Sequence, residues 1–167
     1  MKLLPLDSPE LIERVAGWLA RKDIYQWLDF GAGRRVLTPA ALKIMVQRGT
    51  HVIRVFTDEE GAPVGVVGLQ NVDHEFKTAT LWVVLGERSR ARRGYATQAV
   101  GKILTLAFRE LGLQTVNTWI VEHNPSLVVG ERNKFHFIGR QRQCHWIDGQ
   151  PYDRLLFDIL ASEHEER

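Results

Sequence analysis

A chain of 167 residues, 44% hydrophobic and 25% charged, has the size and make-up of one folded domain with its own core, which sets aside disorder and low-complexity fibres. Its 22 basic and 20 acidic residues leave a formal charge of +2, too near neutral for a nucleic-acid-coated protein, so any basic function must be local. A single cysteine, Cys144, excludes an internal disulfide, and six scattered histidines beside it offer no zinc-finger spacing, so no metal is expected. Pro5, Asp7 and Pro9 break the opening apolar run before it could serve as a signal segment, and no apolar stretch approaches the ~20 residues that cross a bilayer. The expectation is a cytoplasmic single domain over 1–167 with neither membrane nor nucleic acid as partner.

Ser8-Pro9 followed by Leu11, Ile12, Val15, Trp18 and Leu19 reads as an N-cap, a first-turn proline and an apolar helical face, which predicts a helix over 9–21. A short helical piece with Tyr25, Trp27 and Leu28 is expected to end at the Gly31–Gly33 break, and Thr38-Pro39 opens a third helix. Three helices are thus expected before any strand. Val52–Phe56 and Val64–Leu69 around Asp58–Gly61 read as a hairpin, and Ala79–Leu85 as a strand buried on both faces. The longest apolar stripe, Ala96 through Leu111, predicts a helix stopped by Gly112. A strand over 115–121, a short helix after Ser126, a strand over 137–146, a turn at Asp148–Gln150 and a strand over 155–160 complete the chain. Strand, helix and strand over 79–121 should place two strands parallel in an α/β mixed sheet, otherwise mostly antiparallel, with helices on both faces.

Between the buried strand and the long helix lies Gly86-Glu87-Arg88-Ser89-Arg90-Ala91-Arg92-Arg93-Gly94-Tyr95-Ala96-Thr97. A strand that turns through Gly and Arg into a helix aims unpaired N–H groups and the positive end of a helix dipole at one point, an arrangement suited to a diphosphate. Gly94 lets the backbone approach a ligand closely, and the arginines add a positive field. The competing reading is a solvated basic turn. Neither a Walker A loop nor a Gly-x-Gly-x-x-Gly fingerprint is present.

Arg93-Gly94-Tyr95-Ala96-Thr97-Gln98-Ala99, followed by Asn124-Pro125-Ser126 and Glu131-Arg132-Asn133-Lys134-Phe135, resembles the GNAT superfamily of acyl-CoA-dependent N-acyltransferases. The stretch from Phe137 to Asp153 is similar to the branch that includes ribosomal-protein alanine N-acetyltransferases. The resemblance implies a splayed parallel pair, 79–85 and 115–121, with acetyl-CoA between them and direct acetyl transfer to a small-molecule amine or a protein N-terminus. It further implies that Val83, Val84 and Leu85 offer backbone to pantetheine, that residues Arg92, Arg93, Gly94, Tyr95, Ala96 and Thr97 hold the diphosphate, and that Asn124 and Ser126 touch the pantetheine arm or thiol end. Ala91 stands at the family's first loop position, so Arg90 or Arg92 is expected to substitute.

Two departures from the family pattern concern the protons. The position of the tyrosine that many members use as general acid is Gly130, and carboxylate positions of relatives fall near Thr80 and Thr118, which cannot take a proton at neutral pH. Candidate bases are therefore His123, His74 and Asp73, with Glu75 and Glu122 beside them, histidine having the appropriate intrinsic pKa. Acceptor contacts are expected from Trp27, Asp29 and Tyr152, with Tyr25, Phe30, His145 and Asp153 as further polar-aromatic candidates, against the reading of these as core and turn residues. Two other readings remain open at this point: a non-catalytic acyl-CoA-binding or regulatory module, and a nucleic-acid surface at Arg88, Arg90, Arg92 and Arg93. A homodimer is likewise an open expectation.

Overall fold

The computed structural model describes residues 1–30 and 36–166. The expected stop at Gly31–Gly33 lies outside the described residues. Ser8 accepts the Leu11 N–H on its hydroxyl at 3.2 Å and starts α1, Pro9–Leu19. After a one-turn α2, Lys22–Tyr25, Thr38 caps α3, Pro39–Gln47, through the Ala41 N–H at 3.2 Å.

Seven strands form one sheet: β1 Leu3–Pro5, β2 Val52–Thr57, β3 Pro63–Asp73, β4 Thr78–Leu85, β5 Thr115–Val121, β6 His136–Ile147 and β7 Gln150–Leu160, in the order β1-β2-β3-β4-β5-β7-β6. All neighbours run antiparallel except β4 and β5. The mixed sheet with one parallel pair is therefore as expected.

The first element differs from expectation, because strand β1 precedes the helices. It pairs Leu3, Leu4 and Pro5 with Phe56, Val55 and Arg54, and three residues are too few to show a two-residue period. Pro5, which has no N–H to donate, is tolerated because β1 is the sheet edge. The helix expected through 21 stops at Leu19, since Arg21 is already extended at ψ 133°. β7 begins five residues before the expected strand, at Gln150, joined to β6 through Asp148 and Gly149 at φ 51° and 77°, the two left-handed residues of a type I′ hairpin.

Helix α4, Tyr95–Thr105, passes into a wider π turn at Leu106–Glu110, where the Leu111 N–H reaches the Leu106 carbonyl at 3.1 Å. Its Ala99, Val100, Ile103 and Leu104 cover one sheet face over Val67, Leu69, Leu81 and Val116. On the other face Val15, Trp18 and Leu19 of α1 and Leu42 of α3 pack on Val55, Val66, Trp82 and Val84. Helix α5, Leu127–Arg132, follows β5. No helix among the described residues is long and apolar enough to cross a membrane.

Candidate active site

The parallel pair is hydrogen-bonded only at Thr78–Thr115, Ala79–Val116 and Thr80–Asn117, and beyond that point β4 and β5 diverge. Two side chains close the vertex: the Thr80 hydroxyl donates to Asn117 Oδ1 at 2.8 Å and the buried Thr118 hydroxyl donates to the Leu81 carbonyl at 2.8 Å. These threonines tie the strands together just where the sheet opens. The opening is a cavity of about 590 Å³ that runs between Val83, Val84 and Leu85 on one side and Trp119 and Ile120 on the other.

At one end the cavity meets the start of α4. Arg92 and Gly94 adopt left-handed backbone, φ 64° and 80°, and the helix makes its first internal bond from the Gln98 N–H to the Gly94 carbonyl at 3.0 Å. The amides of Tyr95, Ala96 and Thr97 precede that bond and have no helical carbonyl to meet. A Cβ placed on Gly94 would come no nearer to the protein than 4.0 Å, from Gln98 Nε2, so the space before these amides is clear.

The loop's arginines divide into two sets. Arg88 pairs with Asp23 at 2.7 Å, which holds that carboxyl below its usual range, and Arg90 pairs at 3.0 Å with Asp58, whose side chain is 1% exposed. Asp58 also accepts the amides of Glu60 and Ala62 at 3.0 and 2.9 Å. Arg90 is thus paired with a buried carboxylate while lining the cavity, and Arg92, the other residue expected to stand in for the side chain missing at Ala91, also lines it and is in no ion pair among the described residues. Arg93 is not among the lining residues. The β2–β3 turn grips the loop a second time where the Tyr95 hydroxyl donates to Glu59, a bond that raises the phenol's pKa and lowers the carboxyl's.

Midway, Asn124 accepts the Ser126 N–H on Oδ1 at 2.9 Å, and both residues line the cavity before α5. Gly130 lines the cavity without a side chain, and a Cβ there would make only ordinary contact with Ile120, at 3.6 Å.

At the far end Trp27, Leu28, Asp29 and Phe30 face Trp82 and Trp119, with the Phe30 and Trp82 rings edge to face at 4.9 Å. Behind Trp119 lies a cluster that sequence reasoning missed in part. The Arg154 guanidinium lies 3.8 Å over the Trp119 ring, donates from Nε and Nη2 to His145 Nδ1 at 3.2 and 3.1 Å, and has Nη1 3.8 Å from Asp29 Oδ2. His145 is buried, and its Nε2 lies 2.7 Å from the Gln26 carbonyl, so Nε2 carries the proton and Nδ1 accepts. The available signal was alternation: Trp119 and Arg154 occupy one face of β5 and β7, opposite Thr118.

Several expected residues stand elsewhere. Asp73 ends β3 and His74 opens the β3–β4 turn, in which Asp73 accepts the amides of Glu75 and Phe76 at 2.9 and 2.8 Å. Asp73 is opposite Thr78, at the closed end of the parallel pair, so neither it nor His74 lines the cavity. His123 is 77% exposed after β5, next to cavity-lining Asn124, with its ring 6.5 Å from that of Tyr152; neither His123 nor Tyr152 lines the cavity. Asp153 and Glu122 hold Arg140 at 2.8 and 3.1 Å, a surface ion pair away from the cavity. Tyr25 does not line the cavity either. Among the described residues no group of three or more His, Cys, Asp or Glu side chains could hold a metal.

Comparison with known proteins accords with this split sheet. The model of the acetyltransferase (GNAT) domain matches residues 2–136. The chain belongs to the GNAT acetyltransferase family. This acetyltransferase-family chain is 28% identical over 107 residues to the Bacillus subtilis strain 168 protein named "Putative ribosomal N-acetyltransferase YdaF", a match that spans 64% of the chain and 58% of that relative. It is likewise 28% identical over 103 residues to the prophage-derived N-acetyltransferase YokL of the same organism, spanning 61% of the chain and again 58% of the relative. Among solved structures it resembles spermidine N-acetyltransferase from Vibrio cholerae, crystallised with CoA and spermine, at a TM-score of 0.85 and 17% identity over 98% of this chain and 96% of that one. That likeness shows the fold.

Proposed function

We propose that this GNAT-family chain transfers an acetyl group from acetyl-CoA to a primary amine. The observation that carries the reading is the parting of β4 and β5 after Thr80, which opens a cavity from the bare amides of α4 to an aromatic pocket on the opposite sheet face. The residues present fit a CoA thioester: the space before Gly94 admits phosphate oxygens that a Cβ would displace, and the diverging stretch of β4 leaves backbone groups for an extended amide chain.

Acetyl-CoA, when bound, supplies the acetyl group as an activated thioester. The amides of Arg92–Thr97 hold the diphosphate, aided by the α4 dipole and the Arg92 charge. Val83, Val84 and Leu85 orient the pantetheine arm along β4, and the Ser126 hydroxyl and Asn124 stand at the thiol end. Trp27, Asp29 and Phe30 enclose the acceptor so that its nitrogen is presented to the carbonyl, and positioning of this kind accounts for most of the rate. His123, solvated beside Asn124, takes the amine proton through water.

A calorimetric titration with CoA, followed by thiol release from acetyl-CoA over many turnovers, tests this assignment. Absence of binding at millimolar CoA overturns it. A second reading, a non-catalytic acyl-CoA-binding module, is favoured by Gly130 at the tyrosine position and by the structural use of Thr80 and Thr118. Multiple turnovers with any amine remove that reading.

A further inference from the structure

Beside the acceptor end, behind Trp119 and outside the residues that line the cavity, stands a cation that the acetyl-transfer chemistry leaves unused. Guanidinium carries five N–H donors in a planar fork. Arg154 spends two of them on His145 Nδ1, and at 3.8 Å its Nη1 contact with Asp29 is an ion pair without a hydrogen bond. The terminal edge, Nη1 with the second Nη2 hydrogen, therefore lacks an acceptor among the described residues, although the Arg154 side chain is only 18% exposed. That edge is the one that pairs bidentately with an oxyanion.

Its placement is rigid. The Trp119 ring supports the guanidinium from below at 3.8 Å, and His145, anchored to the Gln26 carbonyl, fixes its Nε side. Trp119 and Asp29, which Arg154 touches, both line the cavity, and Arg154 itself stands just behind them, not among the lining residues. Burial pushes the His145 pKa down, so the imidazole stays neutral and able to accept.

The cavity's carboxylates point the same way. Asp23 is engaged by Arg21 and Arg88 at 3.3 and 2.7 Å, and Asp29 faces Arg154, so a polycation entering from this side meets no unpaired carboxylate among the described lining residues. Resting on the acetyl-transfer reading above, we propose that Arg154 is a specificity-determining residue that selects a small amine carrying an oxyanion, a carboxylate or a phosphate, over a polyamine. The oxyanion takes the terminal edge of Arg154, and Trp27 and Phe30 enclose the carbon skeleton between that anchor and the reacting nitrogen.

The experiment measures thiol release at saturating acetyl-CoA with α-amino acids, glucosamine 6-phosphate, spermidine and an uncharged alkylamine. The oxyanion-bearing amines are expected to exceed the other two in kcat/KM by tenfold or more, and the carboxylate and phosphate arms identify the anion. Arg154→Met is expected to lower kcat/KM for the preferred class by roughly 10- to 100-fold, the scale of a charge-assisted hydrogen bond, while CoA affinity stays within about twofold. Arg154→Lys recovers part of the preference, because it keeps charge without the fork. Asp29→Asn, which leaves Arg154 in place, widens the preference for oxyanion-bearing amines over spermidine.

Spermidine as the best acceptor, or an equal loss for all amines in Arg154→Met with an unchanged preference in Asp29→Asn, overturns the inference and leaves acetyl transfer standing. Failure to bind CoA, or CoA binding without turnover of any amine, removes the underlying reading instead.

Discussion

Replacing Gly94 by alanine separates two roles of one residue, its backbone conformation and the space before it. At φ 80° the residue lies in left-handed backbone, where a Cβ costs about 1–2 kcal/mol. No protein atom lies closer than 4.0 Å to that Cβ, so strain is the whole intramolecular cost, equivalent to a fall of about 2–8 °C in Tm for a chain of this size. The same methyl, however, enters the space where a diphosphate oxygen meets the α4 amides. Loss of one charge-assisted bond there is about 1.5–3 kcal/mol, or roughly a 10- to 150-fold rise in the Kd for CoA. Gly112→Ala is the control, since Gly112 is also left-handed, at φ 66°, with nothing within 4 Å and no place in the cavity lining. Thermal melts and calorimetry on both variants should show matched losses in Tm and a CoA defect in Gly94→Ala alone. Equal CoA affinity in the two variants would refute the assignment of the loop. Valine serves less well, because its β-branch adds strain of its own at a left-handed position.

Other outcomes follow from single contacts. Asp58→Ala strands the partly buried Arg90 and the Glu60 and Ala62 amides, so urea denaturation should show a loss of about 3–5 kcal/mol together with weaker CoA binding. Thr118→Val leaves the buried Leu81 carbonyl unpaired and should cost about 1–3 kcal/mol while kcat changes by only a few-fold; a kcat that collapses would make this hydroxyl catalytic. His123→Ala should lower turnover more than donor affinity, and unchanged turnover means the amine arrives deprotonated without that histidine. Because burial lowers the His145 pKa from 6.5, the unfolded chain binds more protons as pH falls below that value, and stability is lost toward acid. His51 and His164 shift the same way by burial, so the readout is the difference in Tm against pH between wild type and His145→Asn, which should shrink the acid loss.

Local patterns in the sequence determined the elements whose cause is local. Ser8-Pro9 and Thr38-Pro39 announced α1 and α3 because a capping hydroxyl and a first-turn proline act within three residues, and the alternating and continuous apolar runs placed β2 to β5. Arg93–Thr97 marked the turn into α4 for the same reason, since Gly94 and the unpaired first amides belong to that short stretch alone. Partners far apart along the chain were a tertiary matter. Leu3–Pro5 becomes a strand only because Arg54–Phe56 lies beside it, and Arg90 loses its freedom only because Asp58, 32 positions earlier, is buried next to it. The threonines at 80 and 118 looked like absent carboxylates and prove to be ties across the vertex of the split, while Asp73 and His74 sit at its closed end. Arg154, Trp119, His145 and Asp29 come from four separate segments, and no periodicity within one segment encodes a contact whose two halves are up to 125 residues apart.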